Sequence, residues 1–287
     1  MRWKPGAGGN VEDRRGRPGG RAALPVGGGL IGVIATVLIL VLGGGGGYDV
    51  GKPFDPFPAQ TQPADNAERM DTAPDASSQL IDFLSFVTGD LQKFWAADFQ
   101  KADRPFEPTK LVIFTGSTST GCGQGSAATG PFYCPPDRRI YVDLGFFREL
   151  ANRFQAPGDF AQAYVLAHEY GHHVQTLTRI TEQVDRASQE NPDQRNALSV
   201  RVELQADCLA GVWAHSTFER GLLEEGDLEE GLNAAASVGD DRIQAAATGR
   251  ISPETFTHGT AEQRAAWFKR GFEDGDASAC DTFSGDI

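Results

Sequence analysis

"AYVLAHEYGHHVQTL", residues 163–177, decides how this 287-residue chain is read. Three histidines and a glutamate occupy positions 168–173, with apolar residues on both sides. With the preceding "GDFAQ" the pattern predicts one long helix over 158–178, apolar at 160, 164, 165 and 167. His168 and His172 stand four apart, so a helix places both imidazoles on one face, one turn apart, within reach of one ion. His173 is rotated by about 100° and faces a packing contact or a contact that supports the site. Glu169 projects beside His168, near an open coordination position. This is H-E-x-x-H, a spacing that supplies two zinc ligands and a general-base glutamate. The bland alternative is a histidine-rich surface turn.

A catalytic zinc needs a third protein ligand and an open position for water. The residues after His172, "HVQTLT", lack the H-x-x-G-x-x-H pattern that continues the motif in some enzymes, so the ligand must come from elsewhere. A second long helix is predicted over 192–220, and its "VELQADCLAG" offers Glu203 and Asp207, again four apart. Two carboxylates turned inward from an Ala/Leu-rich helix are costly unless they bind something. We assign Glu203 as ligand and Asp207 as acceptor for a ligating imidazole N–H. The alternatives are Asp207 as ligand, or both acids on a solvated face. One zinc ion held by His168, His172 and Glu203 lowers the pKa of bound water, and Glu169 serves as base and later as acid. His258, in "FTHGTAEQR", is nominated as donor to the developing oxyanion, against the alternative of a helix-cap contact. Tyr170 is a weaker donor candidate because it points away from the zinc face, and His215 is read as a surface residue.

The charge is uneven. Residues 1–24 carry six basic side chains against two acidic ones, and residues 25–47 carry none. Of the net −13, residues 48–287 therefore hold −17. Such a body does not suit nucleic acid or anionic lipid. "VGGGLIGVIATVLILVL" (26–42) is uncharged, and as a helix it spans roughly 25 Å. It is read as an uncleaved transmembrane anchor, against a cleaved signal peptide or a buried core helix. The positive-inside rule then puts a basic 1–25 tail in the cytoplasm and the acidic body outside, a single-pass protein of the cytoplasmic membrane. Residues 43–74 read as a flexible Gly/Pro-rich linker, and 75–287 as the folded domain. An extracytoplasmic domain permits disulfides. Of three possible connectivities we favour Cys122–Cys134, which closes a short Gly/Ser/Thr-rich loop, and by elimination Cys208–Cys280. Free thiols are the alternative for the second pair.

Elsewhere, "DASSQLIDFLSFVTGDLQKFWAADFQ" predicts a helix capped by Asp75. "TKLVIFTG" (109–116) and "RRIYVDLGFF" (138–147) read as strands that pair across the disulfide loop. Shorter helices are expected near 227–237 and 260–271. Asp240 and Asp241 are read as caps of the helix that follows them, with a second metal as the sharper alternative. Strands first and helices later give an α+β domain, mostly helical with a small β element, its helices around the site.

Taken together, "NVEDRRG", the Gly-flanked anchor, "GPFYCP", "YVDLGFF", "GDFAQAYVLAHEYGHH", "VELQADCLAGVWA", "GDDRIQ" and "FTHGTAEQRAAWFKRG" resemble the bacterial family of neutral zinc metallopeptidases, membrane-anchored proteins with an H-E-x-G-H-H core. The likeness covers nearly the whole chain, departing beside the key positions, as at Tyr170 where valine is expected. It implies a zincin-like (gluzincin-type) domain after one transmembrane helix, with His168, Glu169, His172 and Glu203 as the site. The expected function is a membrane-anchored zinc endopeptidase acting on peptide or protein substrates. The competing readings are a catalytically silent zinc-containing binding or scaffold module, and a zinc amidohydrolase acting on cell-wall peptides.

Overall fold

A computed structural model describes residues 1–5, 10–16 and 76–287 of the chain. The proposed anchor, the linker and the Asp75 cap lie outside these residues. Among them no helix is long and apolar enough to cross a membrane.

The elements run in the order β1 (Val11–Asp13), α1 (Ala76–Lys101), β2 (Lys110–Phe114), β3 (Ser117–Thr120), β4 (Gly123–Ser126), β5 (Phe132–Cys134), β6 (Arg139–Asp143), α2 (Gly145–Asn152), α3 (Asp159–Leu177), α4 (Ile180–Glu190), α5 (Arg195–Glu219), α6 (Asp227–Ser237), α7 (Asp240–Thr248) and α8 (Ala261–Asp274). The result is a mixed α+β fold, mostly helical, with two small sheets. The long helices match their predicted spans closely, whereas β1, the β3–β4 hairpin, α2 and α4 are additions to the reading of the sequence.

The four-stranded sheet has the order β1-β2-β6-β5. The two predicted strands do pair, but in parallel, Lys110 opposite Arg139 through Phe114 opposite Asp143. Strand alternation divides the sheet. Leu111, Ile113, Ile140 and Val142 face the main helical core, while Val112, Phe114 and Tyr141 form a second cluster with Cys134. β5 runs antiparallel to β6 and forms the free edge of the sheet.

At the other edge β1 pairs in parallel with β2. Met1 is buried, and the Trp3 ring stands 5.4 Å from that of Phe83 in α1. Residues 1–5 and 10–16 are thus built into the body, a departure from the expectation of a tail separate from the 75–287 domain.

α3 and α5 are buried on nearly all sides instead of along one stripe, which is why their polar side chains meet inside the protein. Glycine allows the close approach. A Cβ on Gly171 would come 2.9 Å from Cα of Ala206, so the glycine within H-E-x-G-H-H lets α3 and α5 touch beside the histidines. The α5–α8 crossing is tighter, since a Cβ on Gly211 would meet the Phe268 carbonyl oxygen at 2.0 Å and one on Gly271 that of Cys208 at 2.0 Å. The disulfides are Cys122–Cys134 and Cys208–Cys280, as expected. The first ties the β3–β4 turn to the edge strand β5; the second fastens the C-terminal tail to α5.

Candidate metal centre

α3 supplies His168, Glu169 and His172; α5 supplies Glu203 and Asp207. Nε2 of His168 is 3.1 Å from Glu203 Oε2, and Nε2 of His172 is 3.5 Å from Glu203 Oε1. Two ligands about 2.1 Å from a tetrahedral zinc lie roughly 3.4 Å apart. Both distances are close to that value, and one donor atom from each residue lies within 4.8 Å of the others, so the three residues form a group able to hold an ion.

The hydrogen bonding supports this. Nδ1–H of His168 donates to Asp207 Oδ1 at 2.8 Å, leaving the Nε2 lone pair turned to Glu203. Although they are 3.1 Å apart, that nitrogen and Glu203 Oε2 form no aligned hydrogen bond, and Oε2 is buried without a partner. With Nδ1–H committed to Asp207, Nε2 and Glu203 Oε2 are held together by a shared cation, a proton on the ring or a metal ion in its place. Burial opposes charge on His168, yet Asp207 and Glu203 outweigh it and raise its pKa to about 10, so positive charge is favoured at this spot. Burial likewise pushes the Glu203 carboxyl up, but His172, His168 and His258 hold it far below the usual carboxylate range. Two imidazoles and one carboxylate form a donor set that suits zinc.

Each candidate ligand has a second residue that fixes it. Asp207 is fully buried, and Arg264 of α8 neutralises it through Nε to Oδ2 at 2.7 Å and Nη2 to Oδ1 at 2.9 Å. Tyr164 O–H donates to the same Oδ1. On His172, Nδ1–H donates to Gln175 Oε1 at 2.9 Å, and the Gln175 amide in turn reaches the Val202 carbonyl at 2.7 Å and Gln205 Oε1 at 3.1 Å. Arg264, Tyr164 and Gln175 were missed in the sequence. Gln175 was legible, three residues after His172 on one helix face. Arg264 reads as an ordinary surface charge of a helix, and only the α5–α8 crossing buries it.

Glu169 is buried, and burial raises its pKa against the opposing charges of His172 and His168 and a backbone hydrogen bond from Tyr133 of β5. Its Oε2 has no hydrogen-bond partner. His258 is buried and lines the same space. Its Nδ1 lies 3.0 Å from Asp240 Oδ1, while Asp240 Oδ2 accepts the backbone N–H groups of Thr257, His258 and Gly259. This corrects the reading of the paired acids. Asp240 holds the loop of His258, Asp241 accepts from the Ala261 N–H, and neither caps α7. His258 is likewise no cap: α8 is capped by Thr260 with Gln263.

His173 faces away, as expected. Its Nε2–H donates to the Glu107 carbonyl at 2.7 Å, and Tyr133 O–H donates to Nδ1 at 3.0 Å. Tyr170 is buried in the core with its ring 5.4 Å from that of His173. His215, read as a surface residue, is half-buried and donates to the Phe272 carbonyl at 2.6 Å, joining α5 to α8. A second acidic group, Asp159, Asp227 and Glu230, is already engaged: the Met1 ammonium bonds the two aspartates at 2.9 and 3.2 Å, and Phe160 N–H bonds Glu230.

Comparison with known proteins agrees with the geometry. The chain is 44% identical over 290 residues to the uncharacterized protein YpfJ of Escherichia coli (strain K12), covering 97% of this chain and 96% of that one. It is 47% identical over 185 residues to the uncharacterized proteins Mb2605 of Mycobacterium bovis and Rv2575 of Mycobacterium tuberculosis (strain ATCC 25618 / H37Rv), covering 61% of this chain and 62% of each. No solved structure matches. Residues 1–283 match the family described as "Putative neutral zinc metallopeptidase", a span that takes in β1 as well as both site helices, and the chain belongs to that family.

Proposed function

We propose that the protein is a zinc-dependent endopeptidase in which His168, His172 and Glu203 hold one zinc ion. The observation that carries this is the convergence of those three donors beside a buried Glu169 whose Oε2 has no partner. A zinc ion there supplies a Lewis acid that polarises a carbonyl and acidifies water. The remaining roles belong to the chain. Glu169, its pKa raised by burial, takes the proton of the attacking water and passes it to the leaving amine. His258, whose Nδ1–H donates to Asp240, can as its imidazolium also donate from Nε2 to the developing oxyanion. Asp207 and Gln175 fix the tautomers and ring planes of the two ligand histidines. The free edge of β5 borders the site through Phe132 and Tyr133, and an extended peptide can pair with it.

The two disulfides favour a compartment outside the cytoplasm. Because β1 belongs to the sheet of the body, we place residues 1–5 and 10–16 in that same compartment, in preference to a cytoplasmic tail and to a single membrane pass between them and the body.

Glu169→Gln separates a peptidase from a zinc-bearing scaffold. Metal analysis is expected to give one zinc per chain for both forms, with cleavage of an unstructured protein by the parent alone. Equal inactivity on every protein substrate, with zinc bound, would refute the peptidase reading. Mass spectrometry of the products separates protein cleavage from hydrolysis of cell-wall peptides.

A further inference from the structure

Two pockets flank the candidate centre, and of the residues lining them they share only Glu169 and His258. A bond attacked at that shared boundary leaves one side of the substrate in each pocket. Their chemistry differs.

The first pocket lies between α2, α3 and α7, and Phe146, Phe154, Val165, Val238 and Ile243 form its walls. Arg264 also lines it, which by itself would point to an acidic ligand. That charge is spent: Asp207 cancels it through two hydrogen bonds, and Tyr164 Oη and the Val238 carbonyl take further donors at 3.2 Å each. The pocket therefore offers apolar area and no uncompensated charge at its Arg264 end.

The second pocket has Phe132, Pro135, Val184 and Val202 on its walls and Asp185 of α4 where it meets a wider groove. The three arginines of that groove are already paired, Arg138 with Glu107, and Arg179 and Arg186 with Glu182. Asp185 is half-buried and makes no hydrogen bond or ion pair among the described residues, and burial alone raises its pKa. A carboxylate left uncompensated on a pocket wall is best satisfied by a cationic side chain of a ligand.

We propose that the site reads its substrate on both sides of the cleaved bond, seating a large aliphatic or aromatic side chain in the α2–α3–α7 pocket and a lysine or arginine against Asp185. The proposal rests on the peptidase reading, and its test uses binding, so the two can fail separately. Fluorescent octapeptides with a Gly/Ser background carry Leu, Phe, Ala or Asp at one position and Lys, Ala or Glu at another. They are titrated against the zinc-loaded full chain with Glu169→Gln. Peptides with Leu or Phe are expected to bind about tenfold tighter than those with Ala or Asp. Lysine peptides are expected to bind roughly three- to fivefold tighter than glutamate peptides at low salt. Adding Asp185→Lys should reverse the charge preference and leave the apolar one intact. Ile243→Ala, or the milder Phe154→Ala should the first not fold, should weaken only the apolar preference. A charge preference unmoved by Asp185→Lys, or Ala and Asp peptides binding as well as Leu and Phe, overturns the proposal. If these preferences hold and the Glu169-intact chain cleaves none of the peptides, the pockets stand and the peptidase reading falls.

Discussion

His173 is the sharpest test of how the three histidines divide their work, and His173→Phe is the perturbation that asks it. Phenylalanine keeps the ring in its place against Tyr133 and Tyr170 but removes both hydrogen bonds. The Glu107 carbonyl belongs to an exposed residue and can turn to water. The Tyr133 hydroxyl is buried, and burial pushes its pKa up to about 12, so it stays a protonated donor that loses its His173 acceptor and keeps only the neighbouring Thr176 hydroxyl. Orphaning a buried polar group costs about 1–3 kcal/mol, and the Thr176 hydroxyl holds the loss here to the lower part of that range. At pH 7 the variant should be less stable by that amount.

The difference should then shrink as pH falls. Burial lowers the pKa of His173 from 6.5 to about 4, against the backbone hydrogen bond to Glu107. A lowered histidine pKa means that the unfolded chain binds the proton first. Stability from this group is therefore full above pH 6.5 and is lost as pH falls through 4, a loss of about 3 kcal/mol. Phenylalanine has no such loss, while every other titrating group is common to both forms. Urea unfolding of the two proteins at pH 7, 6, 5 and 4.5, with zinc per chain measured at pH 7, is the assay. The expected result is one zinc in both forms and a stability gap that closes, or reverses, towards acid. A gap independent of pH would refute the argument from burial. Loss of zinc in His173→Phe would refute the division of roles itself.

Other substitutions probe the support around the centre. Arg264→Met leaves Asp207 charged, fully buried and without its cation, and should cost about 3–5 kcal/mol in denaturant unfolding. Gln175→Ala frees the His172 ring and should weaken zinc binding roughly 10- to 100-fold in competition with a chelating dye, at little cost in secondary structure. Gly171→Ala forces α3 from α5 and should lower both thermal stability and zinc affinity, whereas a substitution at exposed Gly221, which has open space around it, is expected to leave zinc affinity unchanged. Single cysteines at exposed Arg2 and exposed Arg153 should react together with a membrane-impermeant maleimide on intact cells, and reaction at position 153 alone would contradict a shared compartment.

The parts of the site that were legible in the sequence are those that helical periodicity alone relates. His168 with His172 and Glu203 with Asp207 are each four apart, and each pair lands on one face as read. The inference that α3 and α5 must meet came from chemistry, because buried carboxylates on an Ala/Leu-rich helix need a partner. What stayed hidden depends on contacts between distant segments. Nothing within "TAEQRAAWF" distinguishes Arg264 from a solvated helix charge; it becomes buried because Gly211 and Gly271 bring α5 and α8 backbone to backbone, and neither glycine signals a partner in isolation. The strand β1 was hidden for the same reason. "VED" is three residues long and carries two charges, and it is a strand only because Leu111–Ile113 present an open parallel edge to it. The same dependence governs Asp240. As one of two adjacent acids before a helix it reads as a cap, but the demand it meets is that of three backbone N–H groups in the loop before α8, which holds His258 towards the candidate centre. Local spacing therefore identified which side chains could ligate an ion, and non-local packing determines which residues keep them in the right tautomer, the right charge state and the right place.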